Sequence, residues 1–219
     1  MIPLRDIVPS RTRPYVTVTL IVLNAIAFLF ELSLPPDVRQ AFLQTYGVVP
    51  AAFSWPTVIT SMFLHAGWLH IAGNMLYLWI FGDNVEDRVG HGRFVIFYLL
   101  CGTVAALAQV FANPQSAIPT IGASGAIAGV MGAYIVLYPR SQVLTLIPLF
   151  IFWEIIEVPA IFFLGFWFLL QLMSVGVVAQ STQGGGVAFW AHIAGFLAGM
   201  GLVQIFKRPE RERVEWWNR

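Results

Sequence analysis

The chain reads as an all-α, polytopic membrane protein built as a bundle of six transmembrane helices. Three observations point there. First, 58% of its 219 residues are hydrophobic and only 11% are charged, against roughly a quarter charged in soluble domains. A chain this short has too little interior to hide that much apolar surface from water, so lipid must solvate much of it. Second, apolar runs of membrane-spanning length recur from end to end. Third, basic residues flank those runs on one side only. The same composition excludes several classes. A net charge of +1 supplies no basic field for nucleic acid. One cysteine, Cys101, gives neither a disulfide framework nor a zinc cluster.

A membrane helix needs roughly 20 mostly apolar residues. The first candidate span is Val16 to Leu34, entered through Arg11-Thr12-Arg13-Pro14. The second is about Trp68 to Gly82, and the third is Arg93 to Ala112. The fourth, Ser124 to Tyr138, is short and stopped by Pro139. The fifth is about Pro159 to Val178. The sixth, Val187 to Phe206, is stopped by Lys207-Arg208-Pro209. Residues 1–15 and 207–219 flank the membrane domain of residues 16–206. The long first loop, Pro35 to Leu64, has apolar stretches of its own, which marks a functional loop rather than a linker. Leu146 to Val158 is apolar but contains Pro148, Glu154 and Glu157, and reads as interfacial.

Orientation follows from the basic residues. With the N-terminus in the cytoplasm, eleven of the twelve basic residues lie inside and only Arg39 lies outside. Both termini are then cytoplasmic, and spans two, four and six all run from outside to inside. The lack of an Arg/Ser-rich organellar leader favours a prokaryotic plasma membrane.

The eleven acidic residues lie in loops, tails or span ends. That argues against an ion pump or proton-coupled transporter, which relays charge through intramembrane carboxylates. The buried polar residues are His70, Asn74, Ser124 and His192. Ser124 lies 16 residues before Arg140, His192 lies 15 before Lys207, and His70 lies 13 before Asp83. At about 1.5 Å per residue, the three side chains agree in depth within roughly 5 Å. Ser124 opens a helix of only about 21 Å, so it lies below the outer surface. The non-helical backbone leading to it must line an aqueous cavity or be buried in protein.

A serine hydroxyl needs a base to become nucleophilic, and His192 offers a neutral imidazole near pH 7. His70 and Asn74 are i and i+4, on one helix face. With the backbone N–H of Ser124 they can form an oxyanion hole. Gly125 and Gly129, and Gly195 and Gly199, form small-xxx-small faces on spans four and six. Such faces let helix backbones approach closely, which would bring Ser124 to His192. A metal site lacks ligands: there is no HExxH, and no carboxylate or cysteine lies near the histidines. No cofactor is expected. His65 reads as a loop-stabilising or interfacial residue, and His91 as a solvated one.

Gly122-Ala123-Ser124-Gly125 resembles the GxSG signature of the rhomboid family of intramembrane serine proteases. Ala191-His192-Ile193-Ala194-Gly195, with Gly199 beyond, resembles that family's last-helix pattern. His65-x4-His70-x3-Asn74 resembles its second-helix motif, and Glu86-x-Arg88-x-Gly90 the turn that follows. The resemblance runs from about Val16 to Phe206. It implies a six-helix rhomboid-like bundle that cleaves membrane-protein substrates within the lipid bilayer, near the outer face. It implies Ser124 as nucleophile and His192 as base. His70, Asn74 and the Ser124 amide become the oxyanion donors, with Gly122, Gly125, Gly195 and Gly199 in support. The alternative within the resemblance is a non-catalytic membrane chaperone or adaptor. Two positions depart from the family pattern. The first loop has no Trp-Arg pair, and Ala128 stands where many members stack an aromatic on the histidine.

Overall fold

Apolar runs of the lengths just described form helices because a helix satisfies every backbone group within its own segment. The computed structural model describes residues 1–149, 152–178 and 188–209. Strand β1 (Ile2–Asp6) precedes α1 (Tyr15–Ser33). The first loop folds into α2 (Pro36–Tyr46), α3 (Trp55–Thr60) and two short 3-10 turns. Then come α4 (Trp68–Val89), α5 (His91–Ala112), α6 (Ser124–Leu137), strands β2 (Gln142–Leu149) and β3 (Phe152–Pro159), α7 (Ala160–Val178) and α8 (Phe189–Phe206).

Among the described residues, three helices, α1, α5 and α8, are long and apolar enough to cross a membrane. Helix α6 and residues Ala160–Val175 of α7 are apolar but shorter. Helix α4 runs to Val89, a turn and more beyond the expected end at Gly82, and carries Asp83, Glu86, Asp87 and Arg88 in its last turns. Val187, where the sixth span was expected to begin, lies outside the described residues, as do Arg211, Arg213 and Arg219.

Helix α6 sits at the centre, with every residue from Gly125 to Tyr134 buried. Its glycines make this possible. A Cβ on Gly195 would strike the carbonyl oxygen of Gly125, and one on Gly199 that of Gly129. The two helices therefore run parallel in constant register, backbone against backbone. On the other side, a Cβ on Gly129 would meet Cys101 of α5. Glycine faces serve close packing here as they do in membrane helices generally.

Glu86 joins the start of α1 to the end of α4. Its buried carboxylate accepts the backbone N–H groups of Val16 (2.9 Å) and Thr17 (2.7 Å) and the Thr17 hydroxyl (2.7 Å). These are amide donors that a helix start leaves without intrahelical partners. His91, expected to be solvated, has a side chain 43% exposed and also places Nδ1 2.6 Å from the same carboxylate. The turn to α5 passes through Gly90 at φ +89, under the guanidinium of Arg208.

The expectation of an all-α chain needs one correction: the chain is mostly helical but carries a sheet in the order β1-β2-β3, antiparallel throughout. The stretch read as interfacial is its hairpin. Gln142–Leu149 and Phe152–Pro159 are rich in β-branched and aromatic residues that suit a pleated surface. Val143 and Thr145 face inward and are fully buried, while Trp153 and Ile155 on β3 are exposed. The N-terminal residues are the third strand, with Ile2 opposite Leu146 and Asp6 opposite Val143.

Candidate active site

Ser124 is the first residue of α6, preceded by Ala123, and no side chain caps this helix start. Ser124 Oγ lies 2.8 Å from Nε2 of His192 on α8. The other ring nitrogen, Nδ1, lies 2.8 Å from Oε1 of Gln171 on α7. The indole of Trp167, one turn before Gln171, lies 5.8 Å from the imidazole, tilted by 39°. Three helices thus converge on one imidazole.

His70 and Asn74 stand on α4, facing the turn into α6. That turn passes through Gly122 at φ +121, a conformation L side chains rarely adopt. A Cβ there would also lie 2.8 Å from Nε2 of His70 and 3.7 Å from Nδ2 of Asn74. Glycine is required on both counts. The backbone N–H of Ala66 donates to Nδ1 of His70 at 3.3 Å. This assigns the ring proton of neutral His70 to Nε2, the nitrogen beside Gly122. Asn74 is buried, and its Nδ2 has no hydrogen-bond partner among the described residues. Two side-chain donors and the amides at the α6 N-terminus therefore flank Ser124. Donors of this kind can stabilise a negative charge that develops on an oxygen nearby.

A pocket of about 30 Å³ opens beside Ser124, lined by Ser61, Met62, Gly122, Ala188 and Ala191 among others. That is room for about one water. A larger pocket of about 340 Å³ lies at the opposite end of the fold, between β1 and α4, lined by Arg5, Asp6, Trp79 and Asp83. Size does not single out the candidate site, because Ser124 lines the smaller of the two.

The first loop is fastened without a Trp-Arg pair. Arg39 of α2 lies 3.9 Å from the buried carboxylate of Glu31 and donates to the carbonyl of His65 at 3.3 Å. The His65 backbone N–H donates to Glu31 at 3.2 Å. His65 itself is fully buried, with its ring 5.1 Å from that of His70.

The structure brings Ser124, His192, His70 and Asn74 together, with Gly122, Gly125 and Gly195 close by and Gly199 about two turns beyond His192 on α8, against Gly129. Sequence reasoning does not single out Gln171, and it reads Trp167 only as part of a packing run of aromatics with Phe162, Phe163, Phe166 and Phe168. The available signal is a lone amide side chain in an otherwise apolar span, a feature that membrane interiors tolerate only with a partner.

A family model described as Rhomboid domain matches residues 52–209. The chain is 40% identical over 92 residues to Rhomboid protease GluP of Bacillus subtilis, a match covering 41% of this chain and 18% of that protein. It is 26% identical over 198 residues to Rhomboid-like protein 11, chloroplastic, of Arabidopsis thaliana, covering 84% of this chain and 66% of that one. It is 27% identical over 165 residues to Rhomboid protein 1, mitochondrial, of Saccharomyces cerevisiae, covering 73% of this chain and 44% of that one. The chain spans no more than 66% of any of these three relatives.

Proposed function

The chain belongs to the rhomboid family, and we propose that it is an intramembrane serine endopeptidase working through Ser124 and His192. The observation that carries this reading is the 2.8 Å approach of His192 Nε2 to Ser124 Oγ, between residues 68 positions apart in sequence. In the proposed reaction, His192 takes the hydroxyl proton as Ser124 Oγ attacks the scissile carbonyl. Negative charge gathers on the carbonyl oxygen, where His70 Nε2–H, Asn74 Nδ2–H and the Ser124 N–H donate to it. His192 then gives its proton to the leaving amine. A water, activated by the same imidazole, hydrolyses the acyl-enzyme and frees Ser124.

The proposed substrates are single-pass or multi-pass membrane proteins cut near the outer face. A peptide bond inside a regular helix is shielded and its carbonyl is already hydrogen-bonded. The preferred sites are therefore ones where Gly, Ser or Pro eases local unwinding. The proposed topology has six spans with both termini cytoplasmic, in which α4, α6 and α7 join the three long apolar helices. The named relatives come from a bacterium, a chloroplast and a mitochondrion, and the basic-residue asymmetry supports a cytoplasm-like inner side for this chain.

The test is cleavage of a single-span substrate by the purified protein in liposomes. Wild type should cut and Ser124→Ala should not, with both equally folded. Equal cleavage by the two would overturn the mechanism. Substrate binding without cleavage by the wild type would favour the chaperone or adaptor reading instead.

A further inference from the structure

A serine–histidine pair alone leaves one matter open, namely which of the two ring nitrogens presents its lone pair to the hydroxyl. Only a neutral imidazole protonated on Nδ1 can take a proton at Nε2. Something must accept the Nδ1 proton, and in chymotrypsin-like sites a carboxylate does so. Among the described residues, no carboxylate faces His192. Among the described residues, Ser124 from α6 and Trp167 and Gln171 from α7 meet its ring.

We propose that Gln171 is a positioning residue that completes a Ser124–His192–Gln171 relay, its amide oxygen fixing the proton on Nδ1 and the plane of the His192 ring. This rests on the reading of Ser124 and His192 given above. The assignment turns on which end of the amide faces the ring. The Gln171 Nε2 group donates to the Trp167 carbonyl at 3.3 Å. A carbonyl oxygen only accepts, so the NH₂ end must face it. That leaves Oε1 toward His192, where it can only accept in turn. The Nδ1 atom is thereby the protonated one, and Nε2 is left as the acceptor toward Ser124.

Trp167 contributes to the same device. It and Gln171 are i and i+4, so they share one face of α7. Gln171 meets the ring at Nδ1, and Trp167 lies 5.8 Å from it, tilted by 39°. Helix α7 thus does from the other side what an aromatic on α6 would have done, and the small Ala128 leaves α6 free to pack closely. A neutral acceptor also suits the setting. A carboxylate in an apolar helix carries a desolvation cost, whereas the amide dipole presents its negative end to the imidazolium with no added charge. No proton moves to Gln171: the serine proton passes to Nε2 and the Nδ1 proton stays in place.

The test compares Gln171→Met with Gln171→Glu in the full-length protein, in liposomes with a single-span substrate, each at a temperature below its unfolding midpoint. Methionine keeps the length and apolar packing but cannot accept strongly. Glutamate keeps an acceptor in the same place. We expect Gln171→Met to lower kcat by about 10- to 1000-fold with KM nearly unchanged, within the range a positioned base supplies. Gln171→Glu should retain more kcat than Gln171→Met. A packing role gives the reverse order, because methionine fits an apolar contact and a buried charge does not. A folded Gln171→Met enzyme with wild-type kcat overturns the proposal by itself, whatever the glutamate variant does. Ser124→Ala is measured alongside. If it too keeps activity, the nucleophile assignment has failed; if it is dead while Gln171→Met is unaffected, only the Gln171 inference has.

Discussion

Against α6, helix α8 packs backbone to backbone, with Gly195 on the Gly125 carbonyl and Gly199 on that of Gly129. Against α7, the same helix packs through long side chains. Phe168 stacks on Phe196 at 4.7 Å, and Trp167 lies 6.0 Å from Phe196 and 5.8 Å from His192. The two kinds of contact fix different quantities. Glycine-to-carbonyl contact has no rotamers and no slack, so it sets the distance between Ser124 and His192. Side-chain contact has rotamers, so it sets how the imidazole is turned. Losing the first should be harsher than loosening the second.

Four perturbations probe that difference, from the largest expected effect to the smallest. His192→Ala removes the proposed base, and cleavage should fall by at least about 10⁴-fold. The Ser124→Ala, His192→Ala double variant should be no worse than either single one, since the two act as a unit. Measurable additivity in single-turnover assays would contradict this.

Gly199→Val drives a branched side chain into the Gly129 backbone and must push α6 from α8. A displacement near 1 Å costs on the order of a hundredfold where catalysis depends on alignment. If the folded variant cleaves normally, the α6–α8 contact does not set the Ser124–His192 distance.

On the side-chain side, Trp167→Leu should keep the fold and lower kcat by about tenfold or less, because Gln171 still holds Nδ1. A loss equal to that of Gly199→Val would erase the distinction between the two faces of α8.

The smallest effect lies at the opposite end of α6, which serves as a control. There the Tyr134 hydroxyl donates to Asp6 of β1 at 2.6 Å. Burial pushes the Asp6 carboxyl up from 3.8 to about 6. A carboxyl raised in the folded state contributes stability that is full below about pH 3.8 and lost as pH rises through about 6. Thermal unfolding should show that slope between these values, and Asp6→Asn should flatten it while leaving cleavage at neutral pH unchanged. A change in cleavage would show that the sheet and the site are coupled through α6.

Much of this site is legible in the amino-acid sequence. Ser124, His192 and His70 stand out as polar residues at one depth, and the glycine spacing says which helix faces meet. Those signals are local or periodic, so a sequence displays them. Gln171 does not stand out, because its role depends on a partner 21 residues on, and a single amide in an apolar helix does not say what it faces. The sheet is hidden for a similar reason. Strand β1 pairs with residues some 140 positions away, and non-local pairing leaves no period in either segment. The hairpin's glutamates make the segment look interfacial, whereas the alternation that buries Val143 and Thr145 spans too few residues to stand out.

The most direct test of the central claim is covalent labelling by a serine-directed fluorophosphonate, with the adduct mapped by mass spectrometry. The wild-type protein in liposomes should carry one adduct, on Ser124, and His192→Ala should carry almost none over the same time. An adduct on another serine, or labelling of Ser124 at the same rate without His192, would contradict the account.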